Sequence, residues 1–306
     1  MSKAPAVKKR SAWKKFYESY KAYLYLAPAI LVMLVFVLYP LVKVFRMGFY
    51  TKYNYLTEVG KGFGLKAFEH VLGDPSFQLA LKNTLIIFGV GLPISLIIAL
   101  VIAVLINSKV KFKGVFQTVY FLPYVTSIIA IGIVFRWLFH SEYGYINYFL
   151  SLFGIPAMKW LSDPKLAIWA VTIFYIWSGL AFKIVLFLAG LQKIDEQYYQ
   201  AARIDGASKL RTFFHVTLPL LSPTLWMVIM VSVIYAFKLY NEIFSLFSGQ
   251  AGPANSAITV VYYIYGMFYN RNQVHYASAA AIILFIIITV VTMIQNQVSK
   301  RFIHYN

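Results

Sequence analysis

Six apolar runs, each long enough to cross a bilayer as a helix, alternate along the chain with polar stretches that hold most of its charged residues. Crossing the hydrocarbon core takes about 20 apolar residues as a helix, because backbone amides left unpaired in lipid are costly. Residues 24–42 and 83–108 contain no Asp, Glu, Lys or Arg, and 114–135 is a third such run that continues past Arg136 to Phe139. Residues 166–190 read as one span interrupted by Lys183, 222–247 as a fifth, and 277–295 as a sixth. The predicted spans are thus about 24–46, 83–108, 114–139, 166–190, 222–247 and 277–296. Residues 243–270 also lack charge, but Gly249, Gly252, Pro253 and Asn255 break the pattern and predict an outer loop with a short in-plane helix.

Composition supports the same class. The chain is 60% hydrophobic and only 12% charged, with a mean hydropathy of +0.69, which excludes a soluble globular protein. The predicted fold is an all-α polytopic membrane protein: a basic tail over residues 1–22, then a six-span domain over 23–306. Cytoplasmic loops retain Lys and Arg. With the N-terminus inside, the tail, the turn at 108–113, the segment at 191–221 and the C-terminus hold 16 of the 28, against 8 in the outer loops. Both termini are therefore predicted to be cytoplasmic. The first apolar run follows a basic region, as a secretory signal would, but its length, with Pro40 and Lys43 at its far end and no small-residue cleavage site, predicts an uncleaved span.

The net charge of +18 lies largely beside the spans, where it fixes topology and attracts anionic lipid head groups. No aqueous basic helix or aromatic platform accompanies it, so nucleic acid is not an expected partner. The absence of cysteine excludes disulfides, thiolate metal sites and a cysteine nucleophile.

The polar segment 191–221 holds the most pointed chemistry. Asp195 and Glu196 predict a helix start, since a carboxylate can accept the unpaired amides of a first turn. Tyr199, Ala202 and Arg203 then fall on one face, and Asp205-Gly206 predicts the stop, because glycine accepts the left-handed geometry that ends helices. A second short helix is expected over 208–215, with Pro219 in the first turn of the fifth span. Ala201 and Ala202 offer little side-chain bulk, which suits a socket for another protein; periodicity alone equally allows a plain polar connector.

Gln200-Ala201-Ala202, three residues, Gly206, nine residues, Val216, one residue, Leu218-Pro219 resembles the coupling segment of sugar-type ABC importer permeases, which carry Glu-Ala-Ala, Gly, Ile and Leu-Pro at that spacing. Val216 for Ile is a mild departure; Gln200 for Glu removes a carboxylate that could meet a basic residue of an ATPase. Asn83-Thr84-Leu85, Phe121-Leu122-Pro123, Trp137-Leu138-Phe139 with Gly144 and Asn147-Tyr148, the Phe187 to Gln192 stretch and the Tyr276 to Ala280 stretch are similar to glycerol-3-phosphate and maltose type permeases. Likeness extends from about Tyr23 to the C-terminus, with Ala251-Gly252-Pro253 standing where many relatives have Gly-Gly-Pro. The first outer loop is too short for the folded insertion some relatives carry.

The resemblance implies a type I ABC importer permease (MetI-like) fold in a bacterial cell membrane. It implies a second homologous permease as heterodimer partner, two ATPase subunits that use ATP and Mg, an extracellular solute-binding protein, and a carbohydrate substrate. No cofactor is expected on this chain, which has no Gly-x-x-x-x-Gly-Lys-Ser/Thr phosphate loop. Coupling falls on Glu196, Tyr199, Gln200, Ala201, Ala202, Arg203, Asp205, Gly206, Leu218 and Pro219. In sugar-type relatives the path is walled by the spans flanking that segment. Here Tyr175, Gly179 and Phe182 fall at i, i+4 and i+7, beside Trp177, Ser178 and Lys183, with Tyr235 and Leu239 in the fifth span. Aromatic rings stack on sugar faces and glycine makes room, although aromatics at helical spacing equally serve packing.

Charges inside spans tend to be paired or functional. Lys238 and Glu242 are expected to pair at i, i+4, and Arg136 to snorkel toward the outer surface. Lys183 has no evident partner nearby in sequence, and facing the path it would favour an acidic sugar or phosphorylated polyol. A secondary carrier or channel would show repeats and more ionisable groups along its path. An intramembrane enzyme would need clustered ligands or paired carboxylates, whereas His70, His140, His215, His275 and His304 are scattered. An importer of amino acids or peptides fits the flanking motifs less well than a carbohydrate importer.

Overall fold

The computed structural model describes residues 12–108, 114, 118 and 124–302. The tail before Ala12, the turn after Ser108 and most of the first half of the third predicted span, with Phe121-Leu122-Pro123, lie outside the described residues. Among the described residues five helical stretches are long and apolar enough to cross a membrane: Tyr23–Gly48, Pro75–Asn107, Ala167–Leu191, Lys209–Phe237 and Val274–Arg301. The shorter apolar helix Ile128–Leu138 lies within the third predicted span.

In chain order, α1 (Ala12–Met33) runs through a widened turn into α2 (Tyr39–Gly48). A hairpin follows, β1 (Tyr50–Asn54) antiparallel to β2 (Val59–Phe63) with Tyr50 opposite Phe63, then α3 (Lys66–Gly73). The hairpin adds a small sheet to the helical class read from sequence. Next come α4 (Pro75–Ile86), α5 (Leu92–Asn107), α6 (Ile128–Leu138), α7 (Tyr145–Ser151), α8 (Ala167–Ser178) and α9 (Leu180–Leu191). Then α10 (Glu196–Ile204), α11 (Lys209–Thr212), α12 (Leu218–Phe237), α13 (Asn241–Leu246), α14 (Val260–Tyr265) and α15 (Val274–Phe302).

Prolines shape these helices. Leu34–Leu38, Ile87–Gly91 and Phe213–Thr217 are π-helical turns, and each ends two residues before a proline, Pro40, Pro93 or Pro219. A proline lacks the amide of the i→i−4 ladder and its ring presses on that carbonyl, so a wider turn ahead of it relieves the clash. The consequence corrects the expected boundary: 208–215 is not a separate helix ahead of the fifth span, because helix continues from Lys209 to Phe237.

Two breaks matter more. The fourth span divides at Gly179, between α8 and α9. The fifth predicted span, 222–247, is not continuous: α12 stops at Phe237, Lys238 and Tyr240 leave helical geometry, and α13 begins at Asn241. That break removes the i, i+4 relation on which the Lys238–Glu242 pair depended. Lys238 is exposed, while buried Glu242 accepts a hydrogen bond from the Tyr235 hydroxyl. Nor does Arg136 snorkel: half-buried, it donates to the carbonyls of Ser245 and Leu246, capping the end of α13. Gly132 makes that approach possible, since a Cβ there would lie 1.9 Å from the Ser245 hydroxyl oxygen.

Loops at one end of the bundle are held by buried amides. Asn83 donates to the carbonyls of Ser256 and Ile258 at 2.8 and 2.9 Å, and the Thr84 hydroxyl accepts the Val260 amide at 3.2 Å. Asn147 accepts the Trp160 indole N–H at 2.9 Å and donates to the Met158 carbonyl at 2.8 Å. Tyr263 donates to Asp74 at 2.7 Å, and burial together with that carboxylate pushes its hydroxyl above the ordinary tyrosine range, keeping it a donor. Asn83→Leu, which keeps the branch at Cγ, leaves both carbonyls unpaired and is expected to cost roughly 2–4 kcal/mol, read as a lower thermal midpoint in detergent. An unchanged midpoint would show that the clamp does not hold the loop.

The main core lies between α4, α6, α8 and the α12–α15 region, with Phe77, Phe135, Phe174 and Phe237 buried in it. A second cluster joins α5, α9 and α12 through Ala99, Ala103, Phe187, Leu191, Leu221 and Val228. Gly190 lets α9 and α12 close on one another there: a Cβ would lie 2.6 Å from the Thr224 hydroxyl oxygen.

Candidate functional site

Helix α10 is built as its local sequence dictates. The Asp195 carboxylate accepts the Gln197 amide at 2.9 Å and caps the start. At the other end Gly206 adopts φ +68°, its amide reaching the Arg203 carbonyl at 3.1 Å while Ala207 reaches Ala202 at 2.9 Å. This paired closure is the Schellman arrangement, which needs a left-handed residue at the Gly206 position. Ser208, accepting the Arg211 amide at 3.3 Å, restarts the helix at once. The result is a short helix slung between α9 and α12, tied to the latter by the Thr217 hydroxyl, 3.4 Å from that of Tyr199.

The predicted coupling residues divide between two sides. Glu196, Gln200, Ala201, Arg203, Asp205 and Gly206 are exposed, with Glu196 and Arg203 paired at 3.0 Å. Tyr199, Leu218 and Pro219 are half-buried and Ala202 is buried, so these face the chain's own bundle. Tyr199 and Ala202 therefore do not share Arg203's accessible face, and only Ala201 of the alanine pair offers an open approach. Missed from sequence were exposed apolar side chains in this segment: Ile204 is 87% exposed, and Tyr198, Leu210 and Phe214 are exposed as well. A lone isoleucine between Arg203 and Asp205 has no periodic pattern to mark it.

A cavity of about 270 Å³ lies among α6, the α8–α9 junction and α12. Five of the eight predicted path residues line it: Ser178, Gly179, Phe182, Lys183 and Tyr235. The other three do not. Tyr175 is buried behind the wall, its ring 5.8 Å from that of Tyr235 and its hydroxyl 3.5 Å from the Ser232 carbonyl. Trp177 packs on Phe135 with ring centres 5.0 Å apart, and Leu239 lies in the core past the end of α12, its carbonyl accepting the Thr259 hydroxyl. Ser178, Gly179, Phe182 and Lys183 fall at i, i+1, i+4 and i+5, so this wall is one helical face.

Tyr124, Thr126 and Ser232 complete the polar and aromatic lining. The Tyr124 ring stacks on Phe182 with centres 5.9 Å apart. Ser232 was detectable in principle, since it precedes Tyr235 by three residues on the same helix. Lys183, which had no evident partner in sequence, donates to the Gly179 carbonyl at 3.2 Å and lies 5.3 Å from the centre of the Tyr175 ring. Aromatic walls with a few hydroxyls and one cation suit a polyhydroxylated solute. Among the described residues no group of three or more His, Cys, Asp or Glu is placed to hold a metal ion.

Comparison with known proteins places these features in a family. The family model described as "Binding-protein-dependent transport system inner membrane component" matches residues 91–304. The arabinooligosaccharides transport system permease protein AraP of Bacillus subtilis is 34% identical, over 97% of this chain and 95% of its own. The lactose transport system permease protein LacF of Rhizobium radiobacter is 32% identical, over 97% of this chain and 99% of its own. In fold, the chain is similar to one in the crystal structure of a bacterial alginate ABC transporter in complex with an alginate pentasaccharide-bound periplasmic protein. The TM-score is 0.80 at 23% identity, covering 95% of this chain and 98% of that one.

Proposed function

The chain belongs to the family of binding-protein-dependent transport system inner membrane components, and from that premise we propose that it is the membrane subunit through which an ABC importer passes a carbohydrate. It is a multi-pass permease of the inner membrane and not an enzyme. The sugar assignment is supported by relatives named for arabinooligosaccharide and lactose transport, and by the aromatic and hydroxyl lining of the cavity. In this reading an outer solute-binding protein delivers the sugar and a second, homologous permease completes the path. Two ATPase subunits, using ATP and Mg, close beneath the pair, and both termini are cytoplasmic.

One observation carries the mechanism: the helix offered to a partner, α10, connects the two elements that wall the cavity, α9 and α12. Below the Gly179 break, α5, α9 and α12 share one buried cluster, so displacement of α10 moves them as a unit. Such rigid-body motion, with the break as a hinge, would reopen the cavity on the other side of the membrane.

Phe182→Ala and Tyr235→Ala test the path. Each removes an aromatic wall without touching α10, so each is expected to lower sugar uptake about tenfold while the ATPase stays coupled. Unchanged uptake in both would mean that the rings serve packing and that the solute passes elsewhere.

A further inference from the structure

We infer that the cavity recognises an acidic sugar, with Lys183 as the residue that selects its anionic group; this rests on the carbohydrate reading above and narrows it. Among the described residues Lys183 is the one charged side chain lining the cavity, and it is 2% exposed. Its ammonium has three N–H donors. The partners the structure gives it are the Gly179 carbonyl at 3.2 Å and the face of Tyr175 at 5.3 Å. The ion pairs found among the described residues are elsewhere, Lys43 with Glu58 and Arg203 with Glu196. A buried ammonium held by one carbonyl is under-compensated, since burial of a charge is tolerated when it is paired and hydrogen-bonded.

A second, independent observation points the same way. The Ser232 hydroxyl is buried, lines the same cavity, and has no hydrogen-bond partner among the described residues. A hydroxyl left unpaired in such a position costs free energy that a ligand oxygen would recover. The neighbouring hydroxyls are already engaged as donors: Ser178 to the Tyr175 carbonyl at 3.2 Å, and Tyr235 to Glu242, which does not line the cavity. The Lys183 ammonium, with N–H groups beyond its bond to Gly179, and the Ser232 hydroxyl are both suited to a carboxylate, sulfonate or phosphate oxygen. Phe182 and Tyr235 supply aromatic surface for the sugar ring. At about 270 Å³ the space sits near the low end of ligand pockets, so a single charged sugar unit fills it.

The test uses the complete importer, with partner permease, ATPases and binding protein, in proteoliposomes. Matched disaccharides that differ only in carrying a C6 carboxylate or a C6 hydroxymethyl group are supplied, in both gluco and galacto series. The readout is the ratio of acidic to neutral uptake, compared among permease variants with the binding protein held constant. The native permease is expected to favour the acidic member by about tenfold. Lys183→Met should collapse that ratio toward one, Lys183→Arg should keep most of it, and Ser232→Ala should lower it a few-fold. If Lys183→Met fails to assemble, the Arg and Ala variants still decide. A native permease that carries the neutral member as well or better, or variants that leave the ratio unmoved, overturns the anion assignment while the sugar importer stands. An assembled, ATP-hydrolysing importer that moves neither member overturns both.

Discussion

Gly206→Pro is expected to abolish uptake and solute-stimulated ATP hydrolysis while leaving membrane insertion intact. Proline fixes φ near −65° and carries no amide. Position 206 needs φ +68°, and its amide closes the end of α10 on the Arg203 carbonyl. The substitution therefore unravels the turn that sets α10 against α11. Nothing in the core depends on it: a Cβ at Gly206 would meet open space, and the spans on either side pack through other residues. The measurement is uptake and ATPase stimulation in proteoliposomes, beside membrane-fraction abundance. Normal uptake by this variant would remove α10 from the coupling role.

Ile204→Asp is expected to produce the second-largest loss by a different route. Ile204 is 87% exposed, so its replacement removes no internal packing. Tyr198, Leu210 and Phe214 in the same segment are exposed as well. An aspartate there, next to Asp205, puts a desolvated charge into any apolar interface that covers it, a cost of about 2 kcal/mol or more. Co-purification of the ATPase and stimulated hydrolysis should fall at least tenfold, since about 1.4 kcal/mol is a factor of ten. The thermal midpoint of the permease itself should not move. Full ATPase recovery would place the docking surface elsewhere on the chain.

Much of this site could be read from the chain because its determinants are local. Asp195 as a cap and Gly206 as a stop act over three or four residues, and the structure has both where the sequence puts them. The apolar runs were equally legible, since the lipid requirement acts on composition over a window and not on partners. Failures came where one backbone break decides a long-range relation. The interruption at Lys238–Tyr240 cancels the helical spacing between Lys238 and Glu242, and leaves Leu239 in the core away from the cavity. Hydropathy also missed the start of α4, because residues 75–82 include Gln78 and Lys82 yet form helix from a capped Pro75. The exposure of Ile204 and the orphaned Ser232 hydroxyl depend on what surrounds them, which no pattern of spacing records.

The central claim, that this permease works by docking a separate ATPase beneath a shared path, is tested most directly by purifying the intact chain from gentle detergent and identifying by mass spectrometry what accompanies it. Recovery of a second permease and an ATPase subunit is the predicted result. Recovery of this chain alone, stable and able to move solute without ATP after reconstitution, would contradict it and make the protein a carrier or channel.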